Sequence, residues 1–523
     1  MPMRGAILLV IAGSLLCSCR PETPAVQTSC AASDAEILAW IERATLPADP
    51  AGPDDGCFFD FAWQQLFAVT HLDKGVPRFA AWPTDQVLFP ESGSPPRWGT
   101  APGGMRFRQL GKARGLRRSG QVSADIVTEA AALTPLTDQR GRWAHFSLVV
   151  NQPEYEYIRC CELFRGNCFN QMAGLEPTPV PDATPPPSRI DRPAGSLELK
   201  MAWRVLETCD LPDSPSPCKP DDASRYLTVV GEVEPYSASI QRRRATLGLI
   251  GMHIVQKTPQ YKDSVWSTFE HVDNAPDCSQ KGDPPPSGWS FFNPDCQDPE
   301  KTGRCDDNAY CAPCPIRVPA DVASAFNSTD PAPKWKIPID GKTGEGVITC
   351  VPGASTIEFN KAVKMPDGTE RWINLFDSQC DRPEIPSQVC RSVEVSPTVA
   401  SLNEQVHRVL GRLGGSTAVL ANYKLAGVLW YDGDDLQPEK AKQLANTTME
   451  TYLQTLPDGC VTCHSIVPPV ERAPDSKETM LFNSALADRS MVFQQMRQFG
   501  SASECSATQA EKCSSWNKGC PGG

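Results

Sequence analysis

Two apolar segments near the start of the chain have helical periodicity. In ASDAEILAWIERATLP and FFDFAWQQLFAVTHLD, large hydrophobic side chains recur every three or four positions, at Ile37, Trp40, Ile41 and Leu46 and then at Phe58, Phe61, Trp63, Leu66 and Phe67. This spacing places the side chains on one face of a helix. The pattern therefore predicts two short helices at the start of the fold.

Farther along the chain, the pattern becomes that of β-strands. Two faces alternate from Trp143 to Leu148, and strand-like runs follow in SLELKMAWRVL, RYLTVVGEV and ATLGLIGMHIVQKT. Strict alternation in the last run predicts one shared face for Leu247, Leu249, Gly251, His253 and Val255. Because both faces of this run are apolar, we expect it to lie in the centre of a sheet.

Three later features complete the predicted architecture. Helical periodicity returns over residues 401–430 and 436–454. Residues 176–193 are rich in proline and predict an extended surface connection. Residues 274–318 carry many prolines and cysteines but few aliphatic side chains, which predicts a loop held by disulfides.

The fold class that follows is α+β. We expect a large β-rich domain, braced by disulfides, over residues 36–430, and a C-terminal helical segment with a cysteine-containing tail over 431–523. The chain has 523 residues, of which 40% are hydrophobic, so it can bury a large core. Its net charge of -12 and the lack of a basic stripe in the sequence argue against a nucleic-acid partner.

The N-terminus has the pattern of an export signal. A positively charged start precedes the apolar run GAILLVIAGSLL, so residues 1–18 predict a lipoprotein-type signal peptide. Cys19 would then be acylated, and residues 19–35 would form a tether. The alternative is ordinary cleavage nearby. The prediction is an exported periplasmic protein that is held to the outer membrane by its N-terminal lipid.

The motif Cys460-Val461-Thr462-Cys463-His464 has the C-x-x-C-H spacing of c-type haem attachment. The two cysteines can bond the two vinyl groups of one porphyrin, and the adjacent histidine then reaches the iron. We therefore predict one covalent haem c, bound by Cys460 and Cys463, with His464 as the proximal iron ligand. A disulfide or a zinc half-site is the alternative, but a second cluster of zinc ligands is not evident in the sequence.

The sixth iron ligand is left open by the sequence. Met480, Met491 and Met496 lie in a predicted helix after the motif, and a methionine ligand favours electron transfer. His253 and His271 are the other candidates, either as distal ligands or as an acid and a base beside a substrate. The alternative for both histidines is a hydrogen-bonded core network that includes Glu270 and Asp273.

The chain contains 22 cysteines, which favours an oxidising compartment. Without Cys17, Cys19 and the two cysteines of the motif, 18 remain, enough for nine disulfides. Proximity in sequence suggests the pairs Cys30–Cys57 and Cys209–Cys218, pairing within 278–314 and a Cys311–Cys314 pair. It also suggests Cys350 with Cys380 or Cys390, and pairing among Cys505, Cys513 and Cys520 in the tail.

Several of these runs together resemble a family of exported bacterial proteins that is described only as cytochrome c family. The resemblance lies in HIVQKT at 253–258, WSTFEHVDNAP at 266–276 and LANTTMETYLQ before CVTCH, and also in FAWQQLFAVT, DQRGRW and LELKMAWRVL. It covers most of residues 58–470. It implies a single haem without a settled reaction. The cysteine-bearing inserts and the tail after Met491 depart from the family pattern.

These observations predict one-electron transfer in the periplasm through a single covalent haem. The partner would be a periplasmic redox protein. One alternative is a haem-dependent oxidoreductase, peroxidase-like or oxygenase-like, whose large domain forms a pocket for a small-molecule substrate. The other alternative is a binding lipoprotein without redox activity.

Overall fold

The computed structural model describes the chain in ranges separated by gaps. The described residues are 30–90, 93–100, 106–107, 136–140, 142–165, 191–211, 216–233, 243–261, 264–279, 282–294, 310–329, 336–337, 339–351, 360–374, 387–432, 435–436, 444–451, 454 and 513. Among these residues, no helix is both long and apolar enough to cross a membrane.

The α-helices are short, apart from two. They are α1 (Asp34–Arg43), α2 (Asp55–Thr70), α3 (Asp85–Leu88), α4 (Gln152–Cys160), α5 (Ala320–Thr329) and α6 (Pro397–Leu413). The 3-10 helices are Arg78–Ala81, Ala223–Arg225 and Ser416–Asn422. Helix α1 begins with a capping box, in which Ser33 and Glu36 bond each other's backbone N–H groups. The predicted opening pair of helices is thus confirmed as α1 and α2.

The strands form one large sheet and several two-stranded ribbons. In chain order they are β1 (Leu72–Asp73), β2 (Val76–Pro77), β3 (Arg106–Phe107), β4 (His145–Val150), β5 (Leu197–Val205), β6 (Thr228–Val233), β7 (Arg243–Gln256), β8 (Val265–His271), β9 (Tyr310–Val318), β10 (Gly346–Val351), β11 (Asn360–Lys364), β12 (Glu370–Asn374), β13 (Tyr423–Leu429), β14 (Tyr431–Asp432) and β15 (Asp435–Leu436). The ribbons are β1–β2, β9–β10, β11–β12 and β14–β15.

Strand β7 organises the seven-stranded sheet, whose main order is β13-β8-β7-β5-β4. One edge of β7 pairs with β5, while its other edge pairs first with β6 and then with β8, antiparallel in each case. Strand β3 adds to β6 in parallel. The prediction of a central strand at this position is confirmed.

A β-bulge in β7 corrects the predicted face assignment. Ala202 of β5 pairs with Gly251, but the next residue pairs with Leu249, so Ile250 is an extra residue. Because one extra residue reverses the alternation, Leu247 and Leu249 join the same core cluster as Met252 and Ile254 rather than sharing a face with His253.

The two faces of the sheet differ in chemistry. Helices α1, α2 and α6 cover an apolar face, where Trp63 of α2 packs edge-on against Phe269 with ring centroids 5.2 Å apart. The alternate positions of β5, β7 and β8 form a second face, called the polar face below. Its buried polar side chains include Glu198, Lys200, His253, Thr268 and Glu270.

Two predicted helical stretches are wrong in part. Helix α6 ends at Leu413, and Tyr423–Leu429 is strand β13, which bonds β8 along the edge of the sheet. Residues 444–450, predicted as helix, form turns. In both places side chains are buried against the sheet, and this tertiary contact overrides local helical periodicity.

Disulfides confirm part of the predicted cysteine pairing. Cys30–Cys57 and Cys209–Cys218 form as expected. Two other bonds are long-range and were not predicted: Cys278 bonds Cys390 rather than a neighbour within 278–314, and Cys513 bonds Cys161 rather than another tail cysteine. Cys390 is therefore not available to Cys350, whose backbone lies opposite Cys311 in the β9–β10 register.

The described residues thus form a mixed helix-and-sheet protein linked by disulfides, in agreement with the α+β class. Within the predicted loop 274–318, the structure forms strand β9 at Tyr310–Val318. The predicted signal peptide and most of the tether, of the proline-rich connection and of the C-terminal segment lie outside the described residues.

Candidate functional site

The predicted haem ligands lie outside the described residues. These are Cys460, Cys463, His464 and the methionine candidates Met480, Met491 and Met496; the predicted acylation site Cys19 also lies outside. The nearest described residue before the motif is Gln454, six positions from Cys460.

The segment that leads into the motif binds the polar face of the sheet. We call residues 444–454 the leading segment. Asn446 donates two hydrogen bonds from Nδ2 to β8, at 3.0 Å to Oγ1 of Thr268 and at 2.9 Å to the carbonyl of Phe269. Its Oδ1 accepts from the backbone N–H of Thr448 at 2.9 Å. Asn446 thus shapes the turn and attaches it to the sheet.

A buried ion pair lies beneath this turn. Arg391 donates to Glu270, with Nε 3.3 Å from Oε2, and Nη2 makes a second, shorter bond. Glu270 also accepts the backbone N–H of Thr447, and Arg391 donates to the carbonyl of Ala445 at 3.1 Å. Burial by itself raises the pKa of Glu270, but Arg391 and Lys424 outweigh it and hold that pKa below its ordinary value. Glu270 is therefore ionised and serves as an acceptor for the leading segment.

The end of the leading segment is bound to a disulfide-linked loop. Gln454 donates from Nε2 to the carbonyl of Cys390 at 2.9 Å and accepts from the backbone N–H of Ser392 at 2.9 Å. The disulfide from Cys390 to Cys278 joins this loop to the segment that follows β8. The last described residue before the motif is thus tied to a covalently braced part of the domain.

Close approach of the leading segment requires glycine at position 251 of β7. A Cβ at this position would lie 2.9 Å from Oδ1 of Asn446 and closer still to Oγ1 of Thr448. Carbon atoms do not approach polar atoms of a packed side chain so closely without displacing it. Gly251 therefore admits the turn onto the strand.

His253 contacts the leading segment directly. Its Nε2 lies 3.1 Å from both carboxylate oxygens of Glu450, and the His253 side chain is only 4% exposed. Burial raises the pKa of Glu450, but His253 and Lys200 outweigh it and lower that pKa. Because an ionised carboxylate only accepts, Nε2 carries the proton and donates. The other ring nitrogen, Nδ1, is buried and has no hydrogen-bond partner in the described structure.

His271 has a different environment, in which both ring nitrogens are used. Nε2 donates to the carbonyl of Arg225 at 2.9 Å, and Nδ1 accepts from the backbone N–H of Asp273 at 3.1 Å. The ring stacks on Tyr226 at 4.2 Å. Burial lowers the pKa of His271 to about 4, against the opposing effect of Asp273. In this arrangement His271 is neutral and has no nitrogen left for a metal.

The network predicted as the alternative role for these histidines is present in part. Asp273 supports His271, but its carboxylate is bound by Arg225, with both oxygens 2.7 Å from guanidinium nitrogens. Glu270 pairs with Arg391, and Glu450 takes the place beside His253. The sequence reasoning did not identify Glu450, Arg391 or Gly251 as site residues. Interpreting LANTTMETYLQ as helix concealed the turn that brings Glu450 to β7.

One group of side chains among the described residues has metal-ligand spacing. It consists of Glu207, Cys209 and Cys218. The two cysteines are bonded to each other as a disulfide, so their sulfurs are not thiolate ligands. This group is explained as a structural cross-link.

Comparison with known proteins adds no relative. No protein-family model, curated protein or solved structure matches the chain.

Proposed function

We propose that this chain is an exported c-type cytochrome that carries one covalent haem and transfers single electrons. Cys460 and Cys463 would hold the porphyrin, and His464 would bind the iron; two thiols and an adjacent imidazole are the donor set that this attachment needs. When bound, the haem supplies a one-electron iron couple. The observation that carries the proposal is the CVTCH motif itself, which begins six positions after Gln454 in the sequence.

The bound leading segment supports electron transfer in a physical way. A redox centre works best when its surroundings change little between the two oxidation states, since reorganisation costs free energy. Asn446, Glu450 and Gln454 bind the sheet and the loop at 390–392 by hydrogen bonds, so the described part of the leading segment is held in place on the domain.

Expression with a periplasmic haem-attachment system tests the proposal. The purified protein should show the pyridine haemochrome spectrum of one c-type haem that stays on the chain in acid acetone. A Cys460→Ser/Cys463→Ser variant should lose the pigment. The matched control, Cys209→Ser/Cys218→Ser, also removes two cysteines and should keep it. A binding lipoprotein without haem predicts no pigment in any of these proteins.

A haem-dependent oxidoreductase is the second candidate, because His253 offers a buried nitrogen lone pair near the leading segment. A buried imidazole could act as a base beside a small-molecule substrate. Ligand binding separates the two candidates. An electron-transfer protein keeps its low-spin spectrum with cyanide and peroxide, whereas an open iron site changes its spectrum within the mixing time.

We further propose that the protein is lipid-anchored through Cys19 at the periplasmic face of the outer membrane. The short apolar run and the cysteine that follows support this location. Cys19→Ala should move the protein from the membrane fraction to the soluble periplasmic fraction and abolish labelling by radioactive palmitate. Unchanged fractionation and no labelling of the parent chain would contradict the anchor.

A further inference from the structure

The His253–Glu450 pair joins the central strand of the sheet to the leading segment. His253 lies in β7 and Glu450 lies four positions before Gln454, yet Nε2 is 3.1 Å from each carboxylate oxygen. The same carboxylate accepts the backbone N–H of Asn446 at 2.9 Å, and the backbone N–H of Glu450 donates to the Asn446 carbonyl at 2.8 Å. Glu450 therefore closes the turn on itself and fastens it to His253.

We propose that His253 is a positioning residue for the haem: by donating to Glu450 it fixes the turn Asn446–Glu450, and through it the entry of the chain into the motif at Cys460. This inference rests on the proposed function, because it concerns the surroundings of that haem. The proposal predicts that the reduction potential of the iron depends on the hydrogen bond between His253 and Glu450, although neither residue belongs to the haem-binding motif.

The geometry also defines a competing role for His253. Histidines that bind metals commonly donate one ring N–H to a carboxylate and bind the metal through the other nitrogen. His253 meets the first condition with Glu450, and its Nδ1 is buried without a hydrogen-bond partner in the described structure. If Nδ1 bound the iron, His253 would be a ligand and not a positioning residue. The two roles differ in which ring nitrogen matters.

Substitution by glutamine separates the two nitrogens. The amide of His253→Gln has an N–H donor at the end of the side chain that can reach Glu450, but its only acceptor is the amide oxygen and it has no ring nitrogen at the Nδ1 position. His253→Ala removes both. Glu450→Ala removes only the acceptor and leaves the His253 ring in place.

The control is His407→Ala. His407 lies in α6 on the apolar side of the sheet, with its Nε2 2.7 Å from the carbonyl of Tyr423. The His407→Ala substitution removes an imidazole that makes a hydrogen bond to the backbone, but it does not change any contact of the leading segment. All variants are made in the full chain with attached haem, and haem content is measured first by pyridine haemochrome.

The measurements are the midpoint potential and the ferric visible spectrum. We expect His253→Ala and Glu450→Ala to shift the potential in the same direction, and the double variant to shift it no further than either. His253→Gln should recover at least half of the shift, and His407→Ala should leave the potential at the parent value. If the His253→Ala variant does not accumulate as folded protein, the potentials of Glu450→Ala and His253→Gln can still be compared with that of the parent.

Two results would overturn the inference. One is a parent-like potential in His253→Ala and Glu450→Ala despite a lower melting temperature, which would mean a purely structural pair. The other is the loss of a low-spin band in both His253→Ala and His253→Gln, which would mean ligation through Nδ1. Absence of haem from the parent protein would instead contradict the proposed function, so the two failures are distinguishable.

Discussion

Arg391 and Glu270 form a buried ion pair between residues 121 positions apart, and each side chain is only 1% exposed. The pair lies between the end of β8 and the leading segment, and it bonds both Ala445 and Thr447. Two regions distant in sequence, strand β8 and the leading segment, are thereby held by one charge pair. This arrangement makes the stability of the domain and the attachment of the leading segment depend on the same contacts.

Replacing Arg391 should lower the free energy of unfolding substantially. Arg391→Met leaves the Glu270 carboxylate buried without its main partner, and such a loss typically costs about 3–5 kcal/mol. Denaturant unfolding measures it. The matched control is Arg412→Met, which breaks an exposed pair with Asp34 and should cost less than about 1 kcal/mol. Equal costs for the two variants would contradict the buried-pair argument.

Gly251→Ala should displace the leading segment. The new methyl group would overlap Thr448 and Asn446, so the turn must move or the strand must bend, at a cost of roughly 1–3 kcal/mol in unfolding free energy. Hydrogen exchange should also accelerate at the amides of Thr447 and Thr448. Gly411→Ala is the control, because no heavy atom lies within 4 Å of its new Cβ in helix α6. That variant should be neutral or slightly more stable. A parent-like Gly251→Ala would show that the turn does not need this close approach.

Asp60 of α2 should make the protein less stable as the pH rises. Burial, with a smaller effect of Glu36, raises its pKa from 3.8 to about 7 in the folded state. Between about pH 4 and pH 7, the Asp60 carboxyl is therefore protonated in the folded protein but ionised in the unfolded chain. Because the folded state binds more protons, the free energy of unfolding falls as the pH rises through this window. Asp60→Asn should remove this loss and gain roughly 2–4 kcal/mol at pH 8. Denaturant unfolding at pH 4 to 8 measures both proteins; parallel curves would contradict the raised pKa.

The sheet was predictable from the sequence where alternation is unbroken. β4, β5 and β7 have clear alternation or long apolar runs, and the central position of β7 follows from two apolar faces. The bulge at Ile250 was not predictable, because one extra residue leaves no mark on composition. Strand β13 was mistaken for helix because its spacing also fits a helix, and only its pairing with β8 decides the outcome.

The site was predictable at His253 and His271, as polar groups within apolar runs, but their partners were not. Glu450 and Arg391 are separated from the residues that they contact by 197 and 121 positions. Local patterns carry no information about such pairs. The same reason explains the disulfides: Cys209–Cys218 spans 9 positions and was foreseen, while Cys161–Cys513 spans 352 and was not.

His271 should impose the opposite pH dependence to Asp60. Burial lowers its pKa from 6.5 to about 4, so the folded protein holds a neutral ring where the unfolded chain is protonated. The unfolded state then binds more protons between about pH 6.5 and pH 4, and stability falls as the pH falls through this window. His271→Gln can still donate to the Arg225 carbonyl but cannot titrate, so its unfolding free energy should rise relative to that of the parent by roughly 2–3 kcal/mol as the pH falls through this window. Unfolding of the parent, His271→Gln and Asp60→Asn at pH 4 to 8 gives the test, since the two substitutions must change the slope with opposite signs. The same steep acid decline in the parent and in His271→Gln would assign it to other groups.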